Sequence, residues 1–411
     1  MYKRHITPKL LAALADTPVV LLHGARQTGK STLVQEISAK DHSARYLTFD
    51  DASMLTAASA DPQGFLAGTE GALALDEIQR VPELFRAIKM EVDRNRRPGR
   101  FILTGSANVL MLPRLSDSLA GRMEILPLWP LSQGEMANHR EGLIDRLFNG
   151  GLGRFDGDGG EWNGTAQRVL LGGYPEAHGR PSWERRRAWF DSYVLTTIQR
   201  DVRDLSQIDS LGALSNLLTF LAARTGSLVN HAEVSRSLSV PQTTLKRYLA
   251  LLETAFLVRT LRAWSGNISR RLVKAPKVYL TDTGLATALL GVGDEGALRG
   301  PHLLGPMVEN FVVAELWKQA TWSRTAPGLY HFRSRAGEEV DIVMESAGGE
   351  VVGVEVKAAA TVNASDFKGL HVLAEETGRR FRCGVVLHRG RETTPFARNL
   401  HAVPLTALWQ A

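Results

Sequence analysis

Short apolar runs alternate with amphipathic stretches through the first third of the chain: Val19 to Leu22, Tyr46 to Phe49, Ala72 to Leu75, Phe101 to Thr104 and Glu124 to Leu126. Runs this short between helix-like segments predict buried parallel strands joined by crossovers. From Asn149 to Thr165 the sequence NGGLGRFDGDGGEWNGT is rich in Gly and Asp and has no periodicity, which predicts a flexible insertion. Between Pro181 and Trp264 apolar residues recur three and four apart, through Trp189, Tyr193 and Ile198 and again through Leu211, Leu214, Leu217, Leu218 and Leu221. That spacing predicts helices. Past Pro301 an amphipathic helix from Met307 to Lys318 precedes strand-like runs at Tyr330 to Arg333, Glu339 to Met344, Val351 to Val356 and Gly384 to His388, the order of a separate α/β unit. The pattern divides the chain into a sheet domain over 1–135, a linker over 136–180, a helical middle over 181–300 and a carboxyl-terminal unit over 301–411.

A length of 411 residues exceeds one ordinary core and agrees with two to three domains. A chain that is 44% hydrophobic and 22% charged can bury real cores, so disorder throughout is excluded. The net charge of +6 permits a polyanionic partner without requiring one. A single cysteine, Cys383, forms neither an intramolecular disulfide nor a thiolate zinc site, which points to a reducing compartment. The start MYKRHITPKL has charge but no apolar stretch behind it, and no window approaches the eighteen or so apolar residues of a bilayer span. The expectation is a soluble, cytoplasmic protein with no membrane partner.

The first chemical signal follows the run VVLLH. There GARQTGKST places Gly24, Ala25, Arg26, Gln27, Thr28, Gly29, Lys30, Ser31 and Thr32 in the G-x4-G-K-[ST] pattern between a strand and a helix. The glycines let backbone amides wrap phosphates, Lys30 supplies a point charge to the β and γ oxygens, and Ser31 ligates Mg²⁺. A second signal is ALALDE, an apolar strand ending in two carboxylates: Asp76 is suited to hold Mg²⁺ through water and Glu77 to polarise the attacking water, although the pair alone also suits a helix cap. The run FILTGSAN then delivers Thr104, Ser106 and Asn108 at a strand end, polar enough to sense a γ-phosphate or to form an ordinary turn.

GARQTGKS, ALALDEIQ, ILTGSAN and LAGRM resemble the AAA+ family of P-loop ATPases, in particular the bacterial and archaeal branch whose core carries a carboxyl-terminal domain of unknown function. LGGYPEA, RDV, KAPKVYLTDTGLA, ENFVVAEL, GEEVDIV and GVEVK extend the resemblance over nearly the whole chain. It implies an α/β fold with a parallel-sheet ATPase core over 1–135, ATP and Mg²⁺ as cofactors, and assembly into a homo-oligomer such as a hexameric ring. It also implies an arginine from one subunit completing its neighbour's site. Arg122 in LAGRM stands where such an arginine would be, with Arg200 in QRDV a weaker second candidate and a surface ion pair the plain alternative for Arg122.

In the middle, the spacing predicts a helix over His231 to Leu238, a turn at Ser239 to Pro241, a helix from Gln242 to Glu253 and a strand-like FLVRTL. Two short helices about a tight turn, then a hairpin, describe a winged helix-turn-helix. Its second helix presents Gln242, Thr243, Thr244, Lys246 and Arg247, and the following RAWSGNISRRLVKAP adds Arg270, Arg271 and Lys274 without an acidic residue. These suit phosphates and base edges of DNA, while the same fold also serves as a protein contact or an ATPase lid.

Near the carboxyl end Glu309, Asp341, Glu355 and Lys357 recur in a set order. Glu355 and Lys357 lie two apart in a strand and face one way, so Asp341 on a neighbouring strand can join them. Facing carboxylates call for a cation, and Mg²⁺ between Asp341 and Glu355, with Lys357 on the attacking water, would cut phosphodiesters. This set resembles the PD-(D/E)XK nuclease superfamily, to which a restriction-endonuclease-like α/β fold over 301–411 belongs. The resemblance implies that Glu309 corresponds to an optional helix carboxylate on the same metal ion. The other reading is a solvated cross-strand pair of Asp341 and Lys357 in a unit without catalysis. The sequence thus points to a Mg²⁺-dependent, oligomeric ATPase that remodels or translocates duplex or branched DNA, such as a Holliday-like junction, with a metal-dependent nuclease domain. The competing reading is a nucleotide-switched DNA-binding scaffold whose nuclease-like domain is inactive.

Overall fold

The computed structural model describes residues 2–106, 119–151, 155, 162–199, 211–300 and 302–411, with the backbone alone for residues 162, 163 and 270. Five strands, β1 (Val19–His23), β2 (Ala44–Thr48), β3 (Ala72–Asp76), β4 (Phe101–Gly105) and β5 (Met123–Pro127), form one sheet in the order β2-β3-β4-β1-β5. Every pairing in it is parallel. The alternation of side chains explains the two cores around it. Val20 and Leu22 meet Leu10, Leu14, Leu33 and Ile37 of the helices Thr7–Asp16 and Lys30–Lys40 on one face. Val19 and Leu21 meet Phe85 and Ile88 of the helix Leu84–Arg94 on the other. The second strand starts two residues before the expected run, and Phe49, expected within it, lies beyond its end as a fully buried plug.

The stretch read as a linker is largely helical. Helices Leu143–Asn149, Trp162–Leu171 and Pro175–His178 occupy it, and Leu143, Ile144, Leu147 and Phe148 are buried. Gly150 closes the first of these at φ 74°, a left-handed position that glycine takes without strain. Residues 152–154 and 156–161 of the Gly/Asp-rich insertion lie outside the described residues. Helices Trp183–Thr197 and Leu211–Ala223 follow. Then His231–Leu238 and Gln242–Thr254 are joined through Ser239 at φ 54° and lead into an antiparallel pair, β6 (Val258–Leu261) and β7 (Lys277–Leu280).

The carboxyl-terminal unit opens with the helix Leu304–Trp322, which extends at both ends beyond its buried run of Met307 to Gln319. A six-stranded mixed sheet follows: β8 (Gly328–Arg333), β9 (Glu339–Glu345), β10 (Val351–Lys357), β11 (Phe381–His388), β12 (Thr394–Ala397) and β13 (Leu400–Pro404), in the order β12-β13-β11-β10-β9-β8. β8, β9 and β10 form an antiparallel meander, and the helix Lys368–Thr377 carries the chain across to β11, which runs parallel to β10. A single apolar cluster runs from Leu147 through Leu218 and Leu252 to Val312, Val354 and Leu408, so the middle and carboxyl-terminal units share one core. No helix among the described residues is long and apolar enough to cross a membrane.

Asn310 pins the long helix to β7. Its Oδ1 accepts from Leu280 N at 2.9 Å and from the Thr225 hydroxyl, while its Nδ2 donates to Leu280 O at 2.8 Å. The side chain is fully buried, so truncation leaves backbone groups of an edge strand without partners. Asn310→Ala is expected to lower stability by about 2–4 kcal/mol, read from equilibrium urea denaturation. A loss within about 0.5 kcal/mol removes this side chain as the pin.

Candidate functional site

The loop after β1 is shaped by backbone contacts that tolerate only glycine. A Cβ on Gly24 would lie 2.2 Å from Leu128 O, and Gly29 enters the helix Lys30–Lys40 at φ 90°. Lys30 is buried and donates to Ala25 O at 2.7 Å and Gly24 O at 3.1 Å, which holds its ammonium at the centre of the loop. Thr28 is buried and its hydroxyl bonds Ala25 O at 3.0 Å, whereas Arg26 is half-buried and Gln27 is exposed at φ 59°. The amides of the first helical turn face the loop, the arrangement that binds anions at a helix start.

Asp76, buried at the end of β3, gathers hydroxyls. Ser31 Oγ donates to its Oδ1 at 2.8 Å and also lies 3.1 Å from Oδ2; Tyr46 OH donates at 2.8 Å and Thr48 Oγ1 at 3.2 Å to Oδ2. Thr104 Oγ1 adds a further bond and itself accepts from Glu77 N at 3.1 Å. Burial, then the charge and hydrogen bond of Asp76, push the Tyr46 phenol well above its ordinary pKa. Glu77 sits at φ 57°, a rare conformation for a non-glycine residue, which turns its side chain away from the strand line. Gln79 Nε2 holds its Oε2 at 2.5 Å and also bonds Ser106 Oγ at 3.0 Å. Asp76, Glu77, Thr104 and Ser106 therefore converge with Ser31; Asn108 lies outside the described residues.

Three residues of this centre were missed by the motif reading. Tyr46 and Thr48 stand two apart near the end of β2, an alternation of polar residues that was there to be seen. Arg4 had no local signal: it donates to Thr28 O at 2.6 Å, Trp129 O at 2.7 Å and Glu135 Oε1 at 3.1 Å, strapping the chain start onto the loop. Beside it lies a cavity of about 170 Å³ lined by Tyr2, Arg4, Gly29, Thr32, Leu131 and Pro175. Arg122 pairs with Asp93 of its own chain at 2.6 Å and lowers that carboxylate's pKa, and both side chains are partly exposed. Arg200 lies outside the described residues.

At the carboxyl-terminal cluster the structure corrects the metal assignment. Lys277 of β7 places its ammonium between Glu309 Oε1 at 2.9 Å and Asp341 Oδ1 at 3.1 Å. Tyr279 OH donates to Glu309 at 2.6 Å, and Asp341 Oδ2 accepts from Val356 N at 3.0 Å. A protein cation thus stands between the two carboxylates where Mg²⁺ was expected, and the residues present do not fit a divalent ion there. Among the described residues no group of three or more His, Cys, Asp or Glu is arranged to hold a metal. The expected pair of Asp341 with Lys357 does not form either: Lys357 bonds Glu355 at 3.0 Å and lies 3.8 Å from Asp366. Burial alone would lower the Lys277 pKa, but Asp341 and Glu309 raise it. Burial, then Asp341, lifts Glu309 to about 7 and Glu355 to about 8.

Of the residues expected to meet DNA, Gln242, Thr243, Lys246 and Arg247 are exposed on the helix Gln242–Thr254, and Thr244 is half-buried. Arg271 is a correction. Its guanidinium makes a two-pronged pair with Glu345 (NH1 to Oε2 at 2.5 Å, NH2 to Oε1 at 3.1 Å) and stacks over Trp264 and Tyr330, so it docks the β6–β7 connection onto β9. Lys274 is exposed and donates to Arg333 O at 3.3 Å, while the side chain of Arg270 lies outside the described residues.

Comparison with known proteins agrees with this centre. Residues 16–137 match the model of an AAA domain, residues 164–296 a domain of unknown function, and residues 304–408 a second domain of unknown function. Uncharacterized proteins of Mycobacterium tuberculosis and Mycobacterium bovis are each 33% identical over 404 residues, covering 98% of this chain and 83% of theirs. Among solved structures, the Thermotoga maritima RuvB Holliday junction branch migration motor is 19% identical over 63% of this chain and 89% of that one, with a TM-score of 0.29. DnaA from Aquifex aeolicus is 14% identical over 61% and 86%, also at 0.29. At such scores these likenesses bear on neither mechanism nor substrate.

The raised Glu355 has a defined sign. Its folded pKa of about 8 lies above the ordinary value of 4.5, so its contribution is fully present below about pH 4.5 and is lost as pH rises through about 8. Glu355→Gln is therefore expected to lose at least about 1 kcal/mol less stability than the parent between pH 5 and pH 8, read from urea midpoints. Parallel pH profiles for the two proteins would show that Glu355 titrates normally.

Proposed function

We propose that this chain, which belongs to one family with the two mycobacterial proteins, is a Mg²⁺-dependent ATPase that assembles into an oligomer and uses hydrolysis to move or remodel DNA. The observation that carries the proposal is the direct bond from Ser31 to Asp76 beside the Lys30 loop, since it brings together the two protein groups an ATP-bound Mg²⁺ needs. Ser31 and Asp76 would hold the ion, which supplies positive charge to the phosphate oxygens when bound. The chain's own groups do the rest. Lys30 and the loop amides neutralise and position the phosphates, and Glu77 orients the attacking water. Gln79 fixes the Glu77 carboxylate, and the cavity beside Arg4 and Pro175 suits the nucleoside. Arg122, on the surface just before β5, supports a role in a neighbouring subunit's site.

The exposed Gln242, Thr243, Lys246 and Arg247 support a duplex contact, with the cations on phosphates and the polar groups on base edges. For the carboxyl-terminal unit the Lys277 bridge favours a part that grips without cutting, so strand cleavage is not part of this reading.

Turnover measured with and without duplex and branched DNA tests the proposal. Lys30→Ala is expected to abolish hydrolysis, Glu77→Gln to reduce it at least about a hundredfold while ATP stays bound, and Arg122→Ala to reduce it with binding intact. ATP turnover that is absent, or indifferent to every DNA at moderate salt, would sink it. Labelled branched DNA should remain whole in Mg²⁺ or Mn²⁺; cleavage abolished by Asp341→Ala would restore the nuclease reading.

A further inference from the structure

A cavity of about 510 Å³ lies where Pro127 at the end of β5, Glu253 of the helix Gln242–Thr254, Arg259 and Thr260 of β6, Trp317 of the long helix and Tyr330 of β8 come together, and the exposed Arg262 also lines it. Arg259 is the unusual member. Its guanidinium lies between two indoles, 5.1 Å from the Trp129 ring centre and 4.8 Å from that of Trp317. Among the described residues no carboxylate pairs with it, for Glu253, the nearby acid, spends its Oε1 on Thr260 N at 2.9 Å and Thr260 Oγ1 at 2.6 Å.

Burying a cation without a direct ion pair is costly; the charge of Glu253, which lines the same cavity, and the cation–π contacts recover part of that cost, yet burial still lowers the Arg259 pKa to about 10. The guanidinium keeps its direct ion-pairing capacity for an anion from outside the chain. We infer that this cavity is a second anion site, which takes a phosphate ester on Arg259 and Arg262. Two guanidinium forks match the oxygen geometry of a phosphate and spread its charge, and a volume near 500 Å³ accommodates a nucleotide-sized group. The ester comes either from a free nucleotide or from a nucleic-acid strand.

The site also adjoins the ATP centre. At His23, the last residue of β1, burial followed by the charges of Lys30 and Arg259 lowers the pKa to about 4. An anion on Arg259 is therefore expected to raise the His23 pKa, a signal that occupancy of the cavity reaches the phosphate-binding loop.

The test uses the full chain carrying Lys30→Ala, which silences the loop and makes the result independent of the ATPase proposal. Inorganic phosphate, a nucleoside 5′-monophosphate and a 5′-phosphorylated oligothymidylate are titrated in turn by calorimetry and tryptophan fluorescence, since Trp129 and Trp317 flank the guanidinium. The expected result is saturable binding of at least one ester, weakened tenfold or more by Arg259→Gln and several-fold by Arg262→Gln, with the His23 imidazole resonance titrating at higher pH when the ester is bound. Tight mononucleotide binding identifies a free nucleotide as the source, and a preference for the oligonucleotide identifies a strand. If Arg259→Gln does not fold, the exposed Arg262→Gln decides. No saturable binding of any of the three, or binding unchanged by these substitutions, overturns the inference.

Discussion

Charge placed inside an apolar interior must be answered by opposite charge, and along the helix Leu304–Trp322 that requirement fixes how the rest of the molecule sits. Glu309 is answered by Lys277 from β7. Two turns further on, Glu315 and Lys318 pair at 2.7 Å, both buried, and reach into the segment after β5: Glu315 accepts from Gln133 N at 2.9 Å and Lys318 donates to Leu131 O at 3.0 Å. That segment also carries Glu135, which holds Arg4, which in turn holds the nucleotide loop. Removing one member of such a set strands its partner in a low-dielectric interior, so parting the helix from β7 or from the segment 131–135 is costly. A continuous route of polar contacts thus runs from the loop to the last domain by way of one long helix.

The elements legible in the sequence were those whose signals are local. The parallel strands could be read because fully covered strands are short unbroken apolar runs, and the phosphate loop because its glycines answer to backbone geometry within eight residues. The two helices about Ser239 were readable for the same reason, since the turn and both apolar faces lie in one stretch. The helices of the linker were not legible because the Gly-rich run over 149–165 interrupts any periodicity, while the burial of Leu143, Ile144 and Leu147 just before it depends on partners more than one hundred and fifty residues away, as with Asp145 and Thr325.

The same limit explains the candidate sites. Asp76 and Glu77 announced themselves and Tyr46 left the trace of an alternation with Thr48, whereas Arg4 and Gln79 act through side-chain contacts that no spacing rule encodes. Lys277 is the clearest case. Within the sequence it is one more base in a basic stretch, and the carboxylates that define its role come from a helix and a strand far downstream. A motif written as Glu, Asp, Glu and Lys cannot reveal that a lysine from another domain already fills the space between them.

That arrangement leaves Lys277 chemically silent. An amine reacts with acylating reagents only through the lone pair of its neutral form, and an ammonium clasped by two carboxylates, with its pKa raised, almost never offers one. Exposed amines such as that of Lys274, three residues earlier, have no such protection. Acetylation of Lys277 would therefore record the moments when β7 and the long helix part, making this side chain a built-in clock for the separation of the two units.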